Sequence, residues 1–170
     1  TSTVNVNAPP VADNDSISNA VTNNPASVDV VDGDTDADGT VDATSVVITS
    51  NPVGTVLSGN GKTLTVTGQG VWQVNAVTGV ITFTPASGFT ADPDPITYTI
   101  TDNDGGVSNA ATVVVDYAVR APTAADDSGA APSTNVNVTV DVLDNDSDPD
   151  GTLVTTSVVI TSNPVGSVLS

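Results

Sequence analysis

Asp32, Asp34, Asp36 and Asp38 alternate with Gly33, Thr35 and Ala37 and end at Gly39. Four carboxylates so close together repel one another strongly when no cation sits among them. A hard divalent ion with oxygen ligands is the simplest relief, so the loop reads as a Ca2+ site. The arrangement returns as Asp144, Asp146, Asp148 and Asp150 before Gly151, because Val28–Ser58 recurs as Val140–Ser170 at a constant offset of 112 residues. The D-x-D-x-D-G spacing of Asp34, Asp36, Asp38 and Gly39 follows the first half of a helix-loop-helix calcium loop, where alternate residues point inward and the glycine makes the sharp turn. The second half is missing. Ser45 and Ser157 stand where that motif carries its bidentate Glu, and neither flank has a helical pattern, so further ligands must come from elsewhere in the fold. Asp42 is a weak candidate, since its counterpart is Val154. The alternative is a solvated acidic turn that binds nothing.

Other aspartates keep two readings open. Asp13 and Asp15, with Asp126 and Asp127 in the next copy, flank a domain junction, where they suit either an ion clamping two modules or a plain polar linker. Asp102 and Asp104 are calcium ligands or turn residues. Catalysis is not expected. The chain has no His and no Cys, which removes the usual general base, any Ser-His-Asp triad and disulfides. A carboxylate pair acting on a sugar bond needs a fixed separation across a cleft, whereas these carboxylates crowd into one turn and aromatic content is 3%. Trp72 suits a core position better than a sugar-stacking platform. Lys62, following Asn60-Gly61 at a hairpin tip, reads as solvated rather than as a partner in an isopeptide bond.

The elements that must position these groups are strands. All 20 acidic residues are Asp, which favours turns and caps over helices, and Val, Thr, 14 Gly and 11 Pro favour strands and tight turns. The formal charge of −18 repels phosphate backbones and anionic headgroups, so neither nucleic acid nor a membrane surface is expected as a partner and cations are the natural ones. No signal peptide, lipidation motif or membrane-inserting run is visible.

Residues 1–7 alternate Val with small polar residues and read as a strand before the stiff Ala8-Pro9-Pro10 linker. A variable stretch from Ser16 to Ser27 leads to a short strand, Val28 to Val31, ahead of the acidic loop. Strands are then predicted over Thr44 to Thr49, Val53 to Leu57 and Thr63 to Thr67, with a turn at Ser58–Gly61. A hairpin joins Val71–Val74 to Val80–Thr84, with Trp72, Val74, Ile81 and Phe83 facing inward. Ile96, Tyr98 and Ile100 alternate with Thr97, Thr99 and Thr101, and a last strand covers roughly Ser108 to Ala118. Many short strands between Gly, Pro, Asn and Asp turns describe all-β sandwich domains of the immunoglobulin or cadherin sort, in tandem. The expected organisation is residues 1–8 as the last strand of a preceding repeat and linker, 9–120 as a complete repeat, and 121–170 as the first half of the next.

Residues 68–115, GQGVWQVNAVTGVITFTPASGFTADPDPITYTITDNDGGVSNAATVVV, resemble the CshA-type fibril repeat of very long bacterial surface proteins. VADNDS followed by VDVVDGDTDADG, with VDVLDNDSDPDG in the second copy, is similar to the calcium-loop end of bacterial cadherin-like and Ig-like repeats in large adhesins. The resemblance implies an extracellular, secreted or surface-attached stalk or fibre segment whose partners are neighbouring repeats and other copies in a fibre. An adhesive module for glycan or protein, and a self-assembling filament subunit, are the alternative functions.

Overall fold

The computed structural model describes residues 6–129 and 137–162, and the chain divides into two compact units, 1–119 and 120–170. In the first unit nine strands form two sheets: β1 (Asp15–Ala20), β2 (Ala26–Val28), β3 (Val41–Ile48), β4 (Thr55–Ser58), β5 (Thr63–Val66), β6 (Gly70–Val74), β7 (Ile81–Pro85), β8 (Ile96–Asp102) and β9 (Ala111–Tyr117). One sheet has the order β1-β9-β8-β3 and the other β2-β7-β6-β5-β4. The unit is an all-β, Ig-like sandwich, as the turn spacing predicts. No helix among the described residues is long and apolar enough to cross a membrane.

The core follows from period-2 alternation. Ile96, Tyr98 and Ile100 of β8 are buried against Trp72, Ile81 and Phe83 of the facing sheet, while the threonines between them stay partly exposed. Trp72 is completely buried, its ring centroid 4.9 Å from that of Phe83. This is the core role the sequence suggests and it leaves no face for a sugar. The indole N–H has no hydrogen-bond acceptor.

Three local expectations are corrected. The stretch read as variable contains β1, which runs parallel to β9 with Asp15 opposite Val113 and Ile17 opposite Val115. DSISNA places only Ile17 and Ala20 toward the core, at a spacing of three that breaks the alternation of a strand, and its partner lies almost a hundred residues away. The strand before the acidic loop is Ala26–Val28 rather than Val28–Val31, because Val30 turns into the core and ends the pairing with β7. Residues 6 and 7 are not in a strand, and residues 1–5 of that expectation lie outside the described residues.

The second unit shows how far strands depend on partners. Thr44–Gly54 and Thr156–Gly166 are identical in sequence. In the first copy Val46 and Ile48 are 0% and 2% exposed on β3; in the second, Val158 and Ile160 are 48% and 73% exposed and no strand forms among the described residues. In the first copy Val47 and Ile48 lie opposite Thr99 and Tyr98 of β8, and an unpaired strand has no stability of its own.

Candidate metal centre

The acidic loop of the first unit lies between β2 and β3, at the end of the sandwich where the chain enters. Gly33 has φ +102°, the left-handed conformation glycine tolerates, and a Cβ there would collide with the Asp13 carboxylate. The loop and the incoming segment are thereby pressed together. Gly39 lies in a bend of the loop. It has no left-handed φ; instead it leaves the space occupied by Asp36 Oδ2 and Asn103 Oδ1.

Asp34 points inward. Its Oδ1 accepts the backbone N–H of Asp13 at 2.9 Å and the hydroxyl of Tyr98 at 3.0 Å. Tyr98 is fully buried on β8, and its hydroxyl is also 3.0 Å from Asp15 Oδ2, 2.7 Å from the Val30 carbonyl and 3.2 Å from the Asp13 carbonyl. One phenolic proton thus faces the oxygens of four residues and can satisfy one at a time. Burial pushes the Asp15 carboxyl up to about 6, helped by the charges of Asp13, Asp34 and Asp29 and opposed by the Tyr98 hydrogen bond. Burial also raises Asp34, against the lowering effect of its bonds from Asp13 and Tyr98. Desolvation and both carboxylates hold Tyr98 far above the usual phenol value, so it remains a donor.

A second group of oxygens lies toward the linker. Asp38 accepts the Ala8 backbone N–H at 3.1 and 3.2 Å. Asp36 Oδ1 accepts the Asp38 N–H at 3.4 Å, while its Oδ2 is buried with no donor. Asn7 donates to Asp102 Oδ2 at 2.8 Å, leaving its own Oδ1 buried and unpartnered. Burial pushes the Asp102 carboxyl up, but the Asn7 amide and the backbone N–H groups of Gly106, Asp104 and Gly105 outweigh it and hold the group below its ordinary value. Asn103 completes this edge by accepting the Thr40 N–H at 2.7 Å.

The sequence-predicted residues are therefore split. Asp34 meets Asp13 and Asp15 at Tyr98; Asp38, Asp36 and Asp102 meet the incoming segment; Asp32 is exposed and Asp104 donates its N–H to Asp102 from an exposed turn. Among the described residues no group of three or more acidic side chains is arranged to hold a metal ion as the side chains stand. In the second unit Asp144 is exposed and Asp146 and Asp148 are partly buried, as in the first, whereas Asp150 is partly buried where Asp38 is exposed; Asp126 and Asp127 are exposed. Asn7, Asn103 and Tyr98 join the site although no motif in the sequence marks them. The alternation of Ile96, Tyr98 and Ile100 announced only that Tyr98 is buried, and a buried phenol needs an acceptor.

Lys62 is not free in solvent but partly buried and bonded. Its Nζ donates to the carbonyls of Thr44 at 2.8 Å and Val46 at 2.5 Å, on the open edge of β3. Burial lowers its pKa, partly offset by Asp42. Two strand-edge acceptors that would otherwise invite another chain are occupied by one ammonium.

No curated protein and no solved structure matches the chain. The family described as the surface adhesin CshA repetitive domain matches residues 10–115, from the segment entering the sandwich to within β9. That match covers more than half of the 170 residues, and the chain belongs to the CshA repetitive-domain family of surface adhesins.

Proposed function

We propose that the chain is a calcium-stabilised spacer: a stalk or fibre segment of an adhesin, at the cell surface or outside the cell, whose work is extension and stiffness. Membership in the family supports the adhesin setting. The calcium reading rests on a surplus of buried oxygen acceptors over donors at one end of the sandwich. Asp36 Oδ2 and Asn7 Oδ1 have no donor, and the oxygens around Tyr98 share one proton. Buried acceptors without donors are costly, and a hard cation with oxygen ligands supplies what no N–H or O–H does. Asp34 with Asp13 and Asp15, and Asp36 with Asp38 and Asp102, are the carboxylates best placed to hold such ions after small side-chain rotations. Asp146, Asp148 and Asp150 are their counterparts to Asp34, Asp36 and Asp38 in the next copy.

Titration calorimetry of chelator-treated protein with CaCl2 tests this. Saturable binding in the ~10⁻⁴–10⁻³ M range of extracellular calcium modules is expected, weakened in Asp34→Asn and Asp36→Asn. Heats of dilution alone would overturn it. The glycan-binding alternative loses its aromatic platform with Trp72 in the core, and the filament alternative loses one sheet edge to Lys62.

A further inference from the structure

The two units carry one set of contacts twice, at the 112-residue offset. In the first, the Ala8 N–H donates to Asp38, Val11 and Thr35 exchange backbone hydrogen bonds at 2.7 and 3.0 Å, and the Asp13 N–H donates to Asp34. In the second, the Arg120 N–H donates to Asp150 at 2.6 Å, Thr123 and Ser147 exchange bonds at 2.8 and 3.0 Å, and the Ala125 N–H donates to Asp146 at 2.8 Å. The second set forms although the described residues of that unit contain no strand, so it is local to the incoming segment and the loop.

The gripped residues differ in side chain between copies: Ala8 and Arg120, Val11 and Thr123, Asp13 and Ala125. The gripping carboxylates do not. The loop therefore grips the backbone of the incoming segment, while the side chains on it differ between the copies. At the exit of the first unit, the Ala118 N–H donates to the Ala20 carbonyl at 2.9 Å, which fastens the chain to β1 as it leaves β9. Ala118 is thus held by one unit and Arg120 by the next. The residue between them, Val119, is 96% exposed.

We propose that the acidic loop of each repeat is a receptor for the backbone of the segment entering it, Asp38 and Asp150 being the outer clamps, so that consecutive repeats are joined through one free residue. The inference goes beyond the spacer reading and is independent of any bound cation, because a backbone N–H requires an acceptor oxygen and not a charge. A flexible linker of several residues would let repeats swing freely; with one unanchored residue, and that one β-branched, the freedom left is a few dihedrals.

Amide hydrogen exchange on the 170-residue chain in chelator, resolved by NMR, tests it. The Arg120 and Ala8 amides are expected to exchange at least tenfold more slowly than that of Val119, after correction for intrinsic rates. Asp150→Ala should abolish protection at Arg120 and leave Ala8 unchanged, whereas Asp150→Asn, which keeps an acceptor oxygen, should retain most of it. Unprotected Arg120 and Ala8 amides in the wild-type chain would overturn the proposal. So would equal loss in the Ala and Asn variants, which would mean that charge, and hence a cation, holds the segment. Failure of the calcium reading would appear as absent binding heat and leave these exchange rates untouched.

Discussion

The hydroxyl of Tyr98 donates to the Asp34 carboxylate at 3.0 Å across 64 residues of sequence. This bond ties the acidic loop to the best-packed strand of the sandwich, so loop electrostatics reach the core. Asp15 of β1 shares the same hydroxyl at 3.0 Å, and three separate parts of the chain converge on one proton.

Tyr98→Phe deletes that proton and changes little else, since the ring stays in its buried slot. In chelator it is expected to cost about 1–3 kcal/mol, the penalty for leaving buried acceptors without a donor. Saturating calcium should narrow the loss by satisfying the same oxygens. Urea denaturation in both conditions measures it; identical midpoints for variant and wild type in chelator would show that the hydroxyl contributes nothing.

The pH response in chelator follows from Asp15 and Asp34. Both carboxyls are raised by burial, Asp15 to about 6, so between the unfolded value near 4 and that point the folded chain binds more protons than the unfolded one. Stability from these groups is fully present below the unfolded pKa and is lost as pH rises through the folded value. The melting midpoint should therefore rise on acidification from pH 7.5 to about 4.5, and Asp15→Asn should flatten the slope. Asp102, whose carboxyl is held low, acts in the opposite direction only below that window. With calcium present the trend should weaken or invert, because protons compete with the cation. A midpoint in chelator that falls steadily from pH 7.5 to 4.5 contradicts this account.

Lys62→Met keeps the aliphatic stem and removes the ammonium that occupies the Thr44 and Val46 carbonyls. The expected loss is about 1 kcal/mol, below the ~1.5–3 kcal/mol of a well-buried charged hydrogen bond, because solvent reaches the partly buried side chain. The freed β3 edge should also favour self-association, measurable by sedimentation velocity across a concentration series. A variant that stays monomeric at every concentration removes the edge-capping role.

How legible all this was depends on the range of the interaction. Strong alternation made Ile96, Tyr98 and Ile100 of β8 and the inward faces of Trp72, Val74, Ile81 and Phe83 readable, since burial of one face dictates the period. β1 escaped notice because its parallel partner β9 is remote and Ser16, Ser18 and Asn19 carry no apolar signal. The acidic loop was legible as a loop, while its partners were not. Nothing local to Asn7, Asn109 or Tyr98 says that Asn7 meets Asp102, that Asn109 brackets the Ala12 backbone, or that Tyr98 meets Asp34. The bonds of Lys62 are hidden in the sequence for the same reason, its acceptors being on a strand 16 and 18 residues earlier.

Gly39→Ala probes the crowded oxygens directly. Its Cβ would take the space of Asp36 Oδ2 and Asn103 Oδ1, so both side chains must move and Asn103 gives up the Thr40 N–H, at a cost of about 0.5–1.5 kcal/mol. Asp32→Asn, at an exposed position, should stay within about 0.5 kcal/mol of wild type. Chemical denaturation in chelator separates the two, and equal effects would mean that the loop has no packed interior.

Thermal melting of the chain in ~10 mM calcium and in chelator addresses the central claim most directly. A site with a dissociation constant near ~10⁻⁴ M would add about 2.7 kcal/mol at that concentration, and each kcal/mol moves the midpoint of a domain this size by roughly 4–8 °C. An increase of at least about 10 °C is predicted, reversed by chelation. Coincident midpoints would contradict the claim that a divalent cation holds this end of the sandwich together.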